Sequence, residues 1–218
     1  MKREKTLLIV AGEPSGDLHG ARLMRSLREQ SAESLRFVGI GGKAMEAEGL
    51  VSLVPLERMS VVGFWEVAKR YGFFRDVLRR CIGLLESECV AGFIAIDYPG
   101  FNERLARAAK SRGIRVMWYI APQLWAWGKH RAKSLAKCID RLLVVFPFER
   151  DFFEGFGIAT EFVGHPLLDD AAFSGLRGGG GDVPMVALLP GSRYQELQRN
   201  LPVMLEAALL VRRELGIC

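Results

Sequence analysis

Eight short apolar runs, at residues 6–10, 35–40, 51–56, 92–96, 115–120, 142–146, 160–163 and 185–189, recur along the chain. Most are separated by stretches with helical spacing. Residues 21–30, 73–88, 103–111, 129–137 and 149–156 place apolar side chains three and four apart, with Arg, Lys and Glu between them. An apolar run too short for a helix, followed by an amphipathic helix and then another such run, predicts an α/β fold. Its sheet is mainly parallel and covered on both faces.

The first unit carries the most informative loop. Behind Thr6-Leu7-Leu8-Ile9-Val10 stands Ala11-Gly12-Glu13-Pro14-Ser15-Gly16-Asp17, and a helix is expected to begin near Leu18. Ligands of open parallel sheets bind outside the carboxyl ends of the strands, which is where this loop falls. It is not a dinucleotide fingerprint, because Glu13 and Asp17 put carboxylates where a pyrophosphate would sit. Glu13, Ser15 and Asp17 therefore read as partners of a hydroxyl-rich ligand such as a sugar, with Asp17 or Ser15 alternatively serving as the helix cap.

With 218 residues, half of them apolar, the chain can hold one large domain, or one domain and part of another. The formal charge of +5 comes from 30 basic and 25 acidic residues, too mild an excess to name a partner by itself. Cys81, Cys89, Cys138 and Cys218 show no paired or metal-ligand spacing, which fits thiols in a reducing, cytoplasmic setting. Basic residues precede the first apolar run as in a signal peptide, but the run stops at Gly12 without a cleavage pattern and reads as a first strand. No stretch approaches the roughly 18 apolar residues of a membrane span, so any membrane contact is expected to be peripheral. Residues 174–182 have the composition of a flexible linker. The expected division is a domain at 1–173, a linker at 174–184 and, at 185–218, the first strand and helix of a second domain, the helix at 195–215.

Asp97 closes the apolar run at 92–96, the position from which such sheets present reactive groups, and could take a proton from a substrate hydroxyl. It could equally brace the Pro99-Gly100 turn, after which Asn102 is placed to cap the next helix. Gln123, Trp125 and Trp127 follow the next strand, an amide among aromatic faces that suits a sugar ring as well as it suits core packing. The glycine-rich loop at 39–45 reads as a pocket wall. Leu189-Pro190-Gly191-Ser192-Arg193 joins a strand to a helix start, where backbone N–H groups, the Ser192 hydroxyl and the Arg193 guanidinium could converge on a phosphate. An ordinary cap at Ser192 is the alternative. His165, at a strand end, could serve as a hinge, a hydrogen-bond partner or a catalyst. Between Arg58 and Arg80, bulky groups including Val61, Val62, Phe64, Trp65, Phe73 and Phe74 interleave with six basic residues. This fits an anionic lipid surface or an acylated, phosphorylated substrate better than nucleic acid, although sheet-covering helices explain part of the pattern.

Taken in order, Gly12 to Asp17, Gly39 to Gly42 with Met45, Asp97 to Asn102, Tyr119 to Trp127, Phe146 to Glu149, Val163 to Leu167 and Leu189 to Arg193 resemble the motifs of the lipid-A-disaccharide synthases. The resemblance covers nearly the whole chain. It implies a GT-B glycosyltransferase, with a Rossmann-like N-terminal domain and the truncated start of a second Rossmann-like domain, the active site lying between the two. It also implies inverting transfer of 2,3-diacylglucosamine from UDP to 2,3-diacylglucosamine 1-phosphate (lipid X), with no metal ion or other cofactor. In this reading Asp97 is the base; Glu13, Ser15, Asp17, Asn102, Gln123 and Trp125 contact substrate; and Ser192 and Arg193 hold the UDP phosphates. Val61, Val62, Phe64, Trp65, Phe73 and Phe74 meet acyl chains or the membrane. The enzymes of this family act at the cytoplasmic face of the Gram-negative inner membrane, and a homodimer is allowed. Pro14 stands where the family favours a small residue, and members continue past position 218, so weak donor binding and little turnover are expected of this length of chain. A lipid-binding remnant without activity, or another UDP-sugar enzyme such as a 2-epimerase, are the competing expectations.

Overall fold

The computed structural model describes residues 4–59, 70–169, 186–191 and 194–215. The chain divides into two compact units, Met1–Asp170 and Ala171–Cys218.

In the first unit seven strands form one sheet: β1 (Glu4–Ala11), β2 (Ser34–Ile40), β3 (Leu50–Ser52), β4 (Val90–Ile96), β5 (Val116–Tyr119), β6 (Arg141–Val144) and β7 (Thr160–Phe162). Every ladder is parallel, in the order β3-β2-β1-β4-β5-β6-β7, which is the Rossmann-like arrangement. The helices are α1 (Pro14–Gln30), α2 (Lys43–Ala47), α3 (Tyr71–Ser87), α4 (Pro99–Lys110), α5 (His130–Leu135) and α6 (Pro147–Glu154), with 3-10 turns at Leu56–Arg58 and Pro166–Asp169.

Alternate residues of the central strands feed two separate cores. Leu8 and Val10 of β1, with Phe93 and Ala95 of β4, join the core that also holds Val77 and Cys81 of α3 and Leu105 of α4. Ile9 and Ala11, with Ile94 and Ile96, join Met24 of α1 and Met45 of α2 in the other. The period-2 pleat thus explains why these strands are apolar on both faces. Burial is complete over the carboxyl halves of β1, β2 and β4, so the loops beyond them stand on rigid ground.

The topology locates the site. The chain winds from β1 to β2 and β3, then crosses to β4 on the other side of β1. Ligands of open sheets bind at this reversal, outside the carboxyl ends of the two diverging strands. Ala11 and Ile96 are paired there, so Gly12-Glu13 and Asp97-Tyr98 leave the sheet side by side.

In the second unit α7 spans Tyr194–Leu215, with Pro202 inside it, and residues 186–191 are irregular. The strand expected at 185–189 does not form over its described part. A strand needs a neighbour to take its backbone groups, and none is present among the described residues of this unit. Other expected boundaries moved by a few residues. The run at 51–56 holds a strand only over Leu50–Ser52, because Pro55 turns the chain into a 3-10 helix. α1 starts at Pro14 instead of near Leu18, since proline is accommodated in a first helical turn.

Candidate active site

The turn after β4 is strained and heavily braced. Asp97 and Tyr98 are consecutive non-glycine residues in the left-handed region, with φ of 44° and 52°. Such conformations persist only where the surroundings enforce them. The Asp97 N–H donates to the Tyr119 carbonyl at 3.0 Å, and the Asn102 side-chain amide donates to the Asp97 carbonyl at 2.8 Å. The Tyr98 hydroxyl donates to the Met59 carbonyl at 2.9 Å. Gly12 lies against the Tyr98 ring so closely that a Cβ at position 12 would overlap it, which explains the glycine. Pro99 then opens α4, with Tyr98 at its N-cap.

Burial raises the Asp97 carboxyl to about 6, the negative charge of Glu13 adds to the rise, and the Tyr98 backbone N–H opposes it. A carboxyl in this range is charged at neutral pH yet basic enough to accept a proton, as general-base chemistry needs. Beside this turn, between α3 and the start of α4, lies a cavity of about 400 Å³. Its wall includes Glu13, Phe74, Leu78, Tyr98 and Phe101.

A second carboxylate nearby does something different. Asp17 is buried, and its two oxygens accept backbone N–H groups of Gly42 at 2.8 Å, Met45 at 3.0 Å and Ala44 at 3.1 Å. These are the otherwise orphaned donors at the start of α2. Asp17 therefore braces the loop at 39–45, and the glycine-rich segment read as a pocket wall is what it clasps.

Along the carboxyl edge of β5 to β7 an aromatic group is tied to one buried acid. Glu149, at the start of α6, accepts the Trp125 indole N–H at 3.2 Å and the Phe146 backbone N–H at 3.2 Å. Trp125 meets Phe148 edge-on at 5.1 Å, Phe146 stacks on Phe148 at 5.7 Å, and His165 lies 5.5 Å from Phe146. In the second unit Gly191 has a φ of 106° with no room for a Cβ beside Glu196, while Asn200 donates to the Pro190 carbonyl at 3.0 Å.

Comparison with known proteins decides the family. Residues 7–216 match the model of the lipid-A-disaccharide synthetases. Relatives named lipid-A-disaccharide synthase come from Geobacter metallireducens, 42% identical over 95% of this chain and 56% of its own length, and from Syntrophus aciditrophicus, 43% identical over 95% and 56%. A third, from Coxiella burnetii, is 36% identical over 97% of this chain and 58% of its own. The chain belongs to the lipid-A-disaccharide synthetase family. It spans a little over half the length of these curated relatives.

Among the residues that the family motifs pointed to, the structure brings Asp97 and Glu13 together at the strand reversal, their charges interacting. Ser15 is exposed in the first turn of α1. Asn102 departs from expectation: it is fully buried inside α4, where its amide reaches the Asp97, Val10 and Ile96 carbonyls at 2.8 to 3.4 Å. It braces the Asp97 turn and does not cap the helix, because α4 begins four residues earlier than expected, at Pro99. Gln123 is exposed, Trp125 half-buried and Trp127 exposed, while Trp118 is the member of this segment in the core. Phe73 is covered by two guanidinium groups, Arg58 at 4.4 Å and Arg70 at 5.0 Å, and Phe74 faces the cavity. Val61, Val62, Phe64, Trp65, Ser192 and Arg193 lie outside the described residues. Sequence reasoning missed Tyr98, Glu149 and Asn200. Glu149 carried a signal, as the third residue after Phe146 at a helix start; the other two depend on contacts between loops.

Among the described residues no three His, Cys, Asp or Glu side chains converge as a metal-ion cluster, and no helix is long and apolar enough to cross a membrane.

Proposed function

We propose that this chain supplies the acceptor side of an inverting glycosyl transfer, in which 2,3-diacylglucosamine passes from UDP to lipid X to give a β-1,6-linked disaccharide 1-phosphate. The observation that carries the reading is Asp97, raised to about 6 beside a cavity at the strand reversal. Asp97 removes the proton of the acceptor's 6-hydroxyl as the oxygen attacks the donor's anomeric carbon, and UDP departs from the opposite face. Glu13 keeps the base from being too weak, since its charge holds the proton affinity of Asp97 up. Ser15, Gln123 and Trp125 stand at neighbouring carboxyl ends as candidate sugar contacts. Asp17 and Asn102 act through the backbone they hold.

Ser192 and Arg193, just before α7, take the diphosphate of the donor, where a helix N-terminus favours anions. In this reading the chain comprises the acceptor-side domain at 1–173, a linker at 174–184 and, at 185–218, the opening of the nucleotide-sugar domain. The enzyme works as a peripheral protein on the anionic cytoplasmic surface of a Gram-negative inner membrane, with Val61, Val62, Phe64, Trp65, Phe73 and Phe74 toward acyl chains or lipid and without a metal or other cofactor; a homodimer is compatible with this reading.

The test joins this chain to the remaining part of a curated relative and follows UDP release from UDP-2,3-diacylglucosamine and lipid X. Asp97→Asn is expected to lower turnover by about 100-fold or more. Turnover within a few-fold of wild type would remove Asp97 as the base.

A further inference from the structure

Tyr98 stands where the backbone resists it. It is in the left-handed region, with φ 52° and ψ 57°, directly after Asp97 in the same region and directly before Pro99. A residue ahead of proline is pushed toward extended conformations, and tyrosine is not among the residues that favour a left-handed one. Glycine would take this turn without strain. A tyrosine at this position is therefore explained by what its side chain holds.

That side chain joins three loops. The ring lies on Gly12, just past β1, and 6.1 Å from the Phe101 ring of α4. The hydroxyl donates to the carbonyl of Met59 at 2.9 Å, 39 residues away along the chain. Met59 is a firm post: it is fully buried, and its N–H closes the 3-10 turn on the Leu56 carbonyl at 2.8 Å. The segment leading to it is tied to the 39–45 loop, because the Ser52 hydroxyl reaches the Gly41 and Val54 carbonyls at 3.1 and 3.0 Å. On its other side, the Tyr98 carbonyl accepts the Asn102 backbone N–H at 3.1 Å. With residue 98 fixed in this way, its own backbone N–H is aimed at the Asp97 carboxylate. The hydroxyl keeps its proton throughout, since burial and then the Glu13 charge push it up to about 12.

We propose that Tyr98 is a positioning residue: its hydroxyl, held on the Met59 carbonyl, fixes the backbone N–H that hydrogen-bonds the Asp97 carboxylate, and thereby keeps Asp97 ionised at neutral pH. The proposal rests on the reading of Asp97 as the base. Burial and the charge of Glu13 draw a proton onto Asp97, and the Tyr98 N–H opposes them. The other charged groups around this turn are Arg70, which acts on the Tyr98 hydroxyl, and Arg75 and Arg104, which line the adjoining cavity. Without the N–H, the carboxyl would hold its proton into the neutral range and could not accept another. The loop after β3 thus enters the chemistry, because a displaced Met59 carbonyl is felt as a changed proton affinity at the base.

Tyr98→Phe keeps the ring on Gly12 and removes the hydroxyl. The experiment follows the Asp97 carboxyl of this chain by carbon-13 NMR in wild type and Tyr98→Phe, and records kcat/KM against pH in the fused enzyme described above. Tyr98→Phe is expected to move the Asp97 midpoint above 6. The acid limb of kcat/KM, which reports the free enzyme, should move up with it, leaving activity about 5-fold lower at pH 6 and within about 2-fold of wild type at pH 8.5. Gly12→Ala, which displaces the ring and leaves the hydroxyl, should move the midpoint in the same direction, and is read in its place if Tyr98→Phe does not fold. A residue that only holds structure would lower the melting temperature on substitution and leave the midpoint and the limb where they were. That result, or a midpoint that falls, overturns the proposal. Full turnover by Asp97→Asn with a raised midpoint in Tyr98→Phe would leave the control of the carboxyl standing and remove the base. Loss of turnover by Asp97→Asn with an unmoved midpoint in Tyr98→Phe overturns this proposal alone.

Discussion

Asp17 and Asp97 are acids at neighbouring carboxyl ends of one sheet, and they are treated oppositely. Asp17 is surrounded by three N–H donors, all from the first turn of α2 and the residue before it. Asp97 sits on a left-handed turn, is poorly solvated and faces a second carboxylate. A carboxylate whose oxygens are satisfied by backbone holds structure. One that is desolvated beside a like charge is poised to take a proton. The surrounding loops thus make the same side chain a brace at one strand end and a carboxyl of raised proton affinity at the next.

The largest effect that tests this contrast is the loss of the brace. Asp17→Ala leaves three N–H groups, two of them buried, without acceptors and should cost about 3 kcal/mol. That corresponds to a fall in melting temperature of roughly 10 °C for a unit of this size. An unchanged melting temperature would make Asp17 dispensable and dissolve the comparison.

Gly12→Ala comes next. The added methyl pushes the Tyr98 ring off its seat and should cost about 2 kcal/mol. The Asp97 turn loses its geometry with it, so lipid X binding should weaken beyond what stability accounts for.

Asp97→Asn moves stability the other way. A carboxyl raised to about 6 in the fold, from 3.8 in the unfolded chain, favours the protonated form there, so its contribution to stability is full below pH 3.8 and lost as pH rises through about 6. Above that, ionised Asp97 costs about 2 kcal/mol, after allowance for its partial exposure. Asparagine, which tolerates the left-handed turn, should therefore stabilise the chain at pH 7.5 and bring little gain at pH 3.5. Chemical denaturation at the two pH values reads the difference. The smallest effect is that of Glu13→Gln, which removes the like charge and should lower the Asp97 titration only part of the way toward the ordinary carboxylate value, because burial is the larger cause.

Much of this was legible beforehand. Eight apolar runs and the segments between them announced the parallel sheet, and Asp97 at the end of the run at 92–96 was in place as the candidate base. The division of labour between the acids was not. Asp17 looked like a cap for its own helix, whereas it caps α2, whose first turn lies 25 residues along the chain. Asn102 looked like a surface cap because Pro99-Gly100 suggested a turn, but proline is also suited to a helix start, and α4 begins there. Such assignments depend on which loops meet, and neither periodicity nor spacing carries that. The strand expected at 185–189 failed for a related reason: its pattern was right, but among the described residues its own unit offers no neighbouring strand.

The proposed chemistry turns on Asp97 being a desolvated carboxyl held ready to accept a proton. Carbon-13 NMR of the aspartate carboxyls, with the Asp97 resonance identified by its absence in Asp97→Asn, tests it directly. A titration midpoint near 6 is the expected result. A midpoint at or below the ordinary carboxylate value, about 3.9, would contradict the account and leave Asp97 a brace like Asp17.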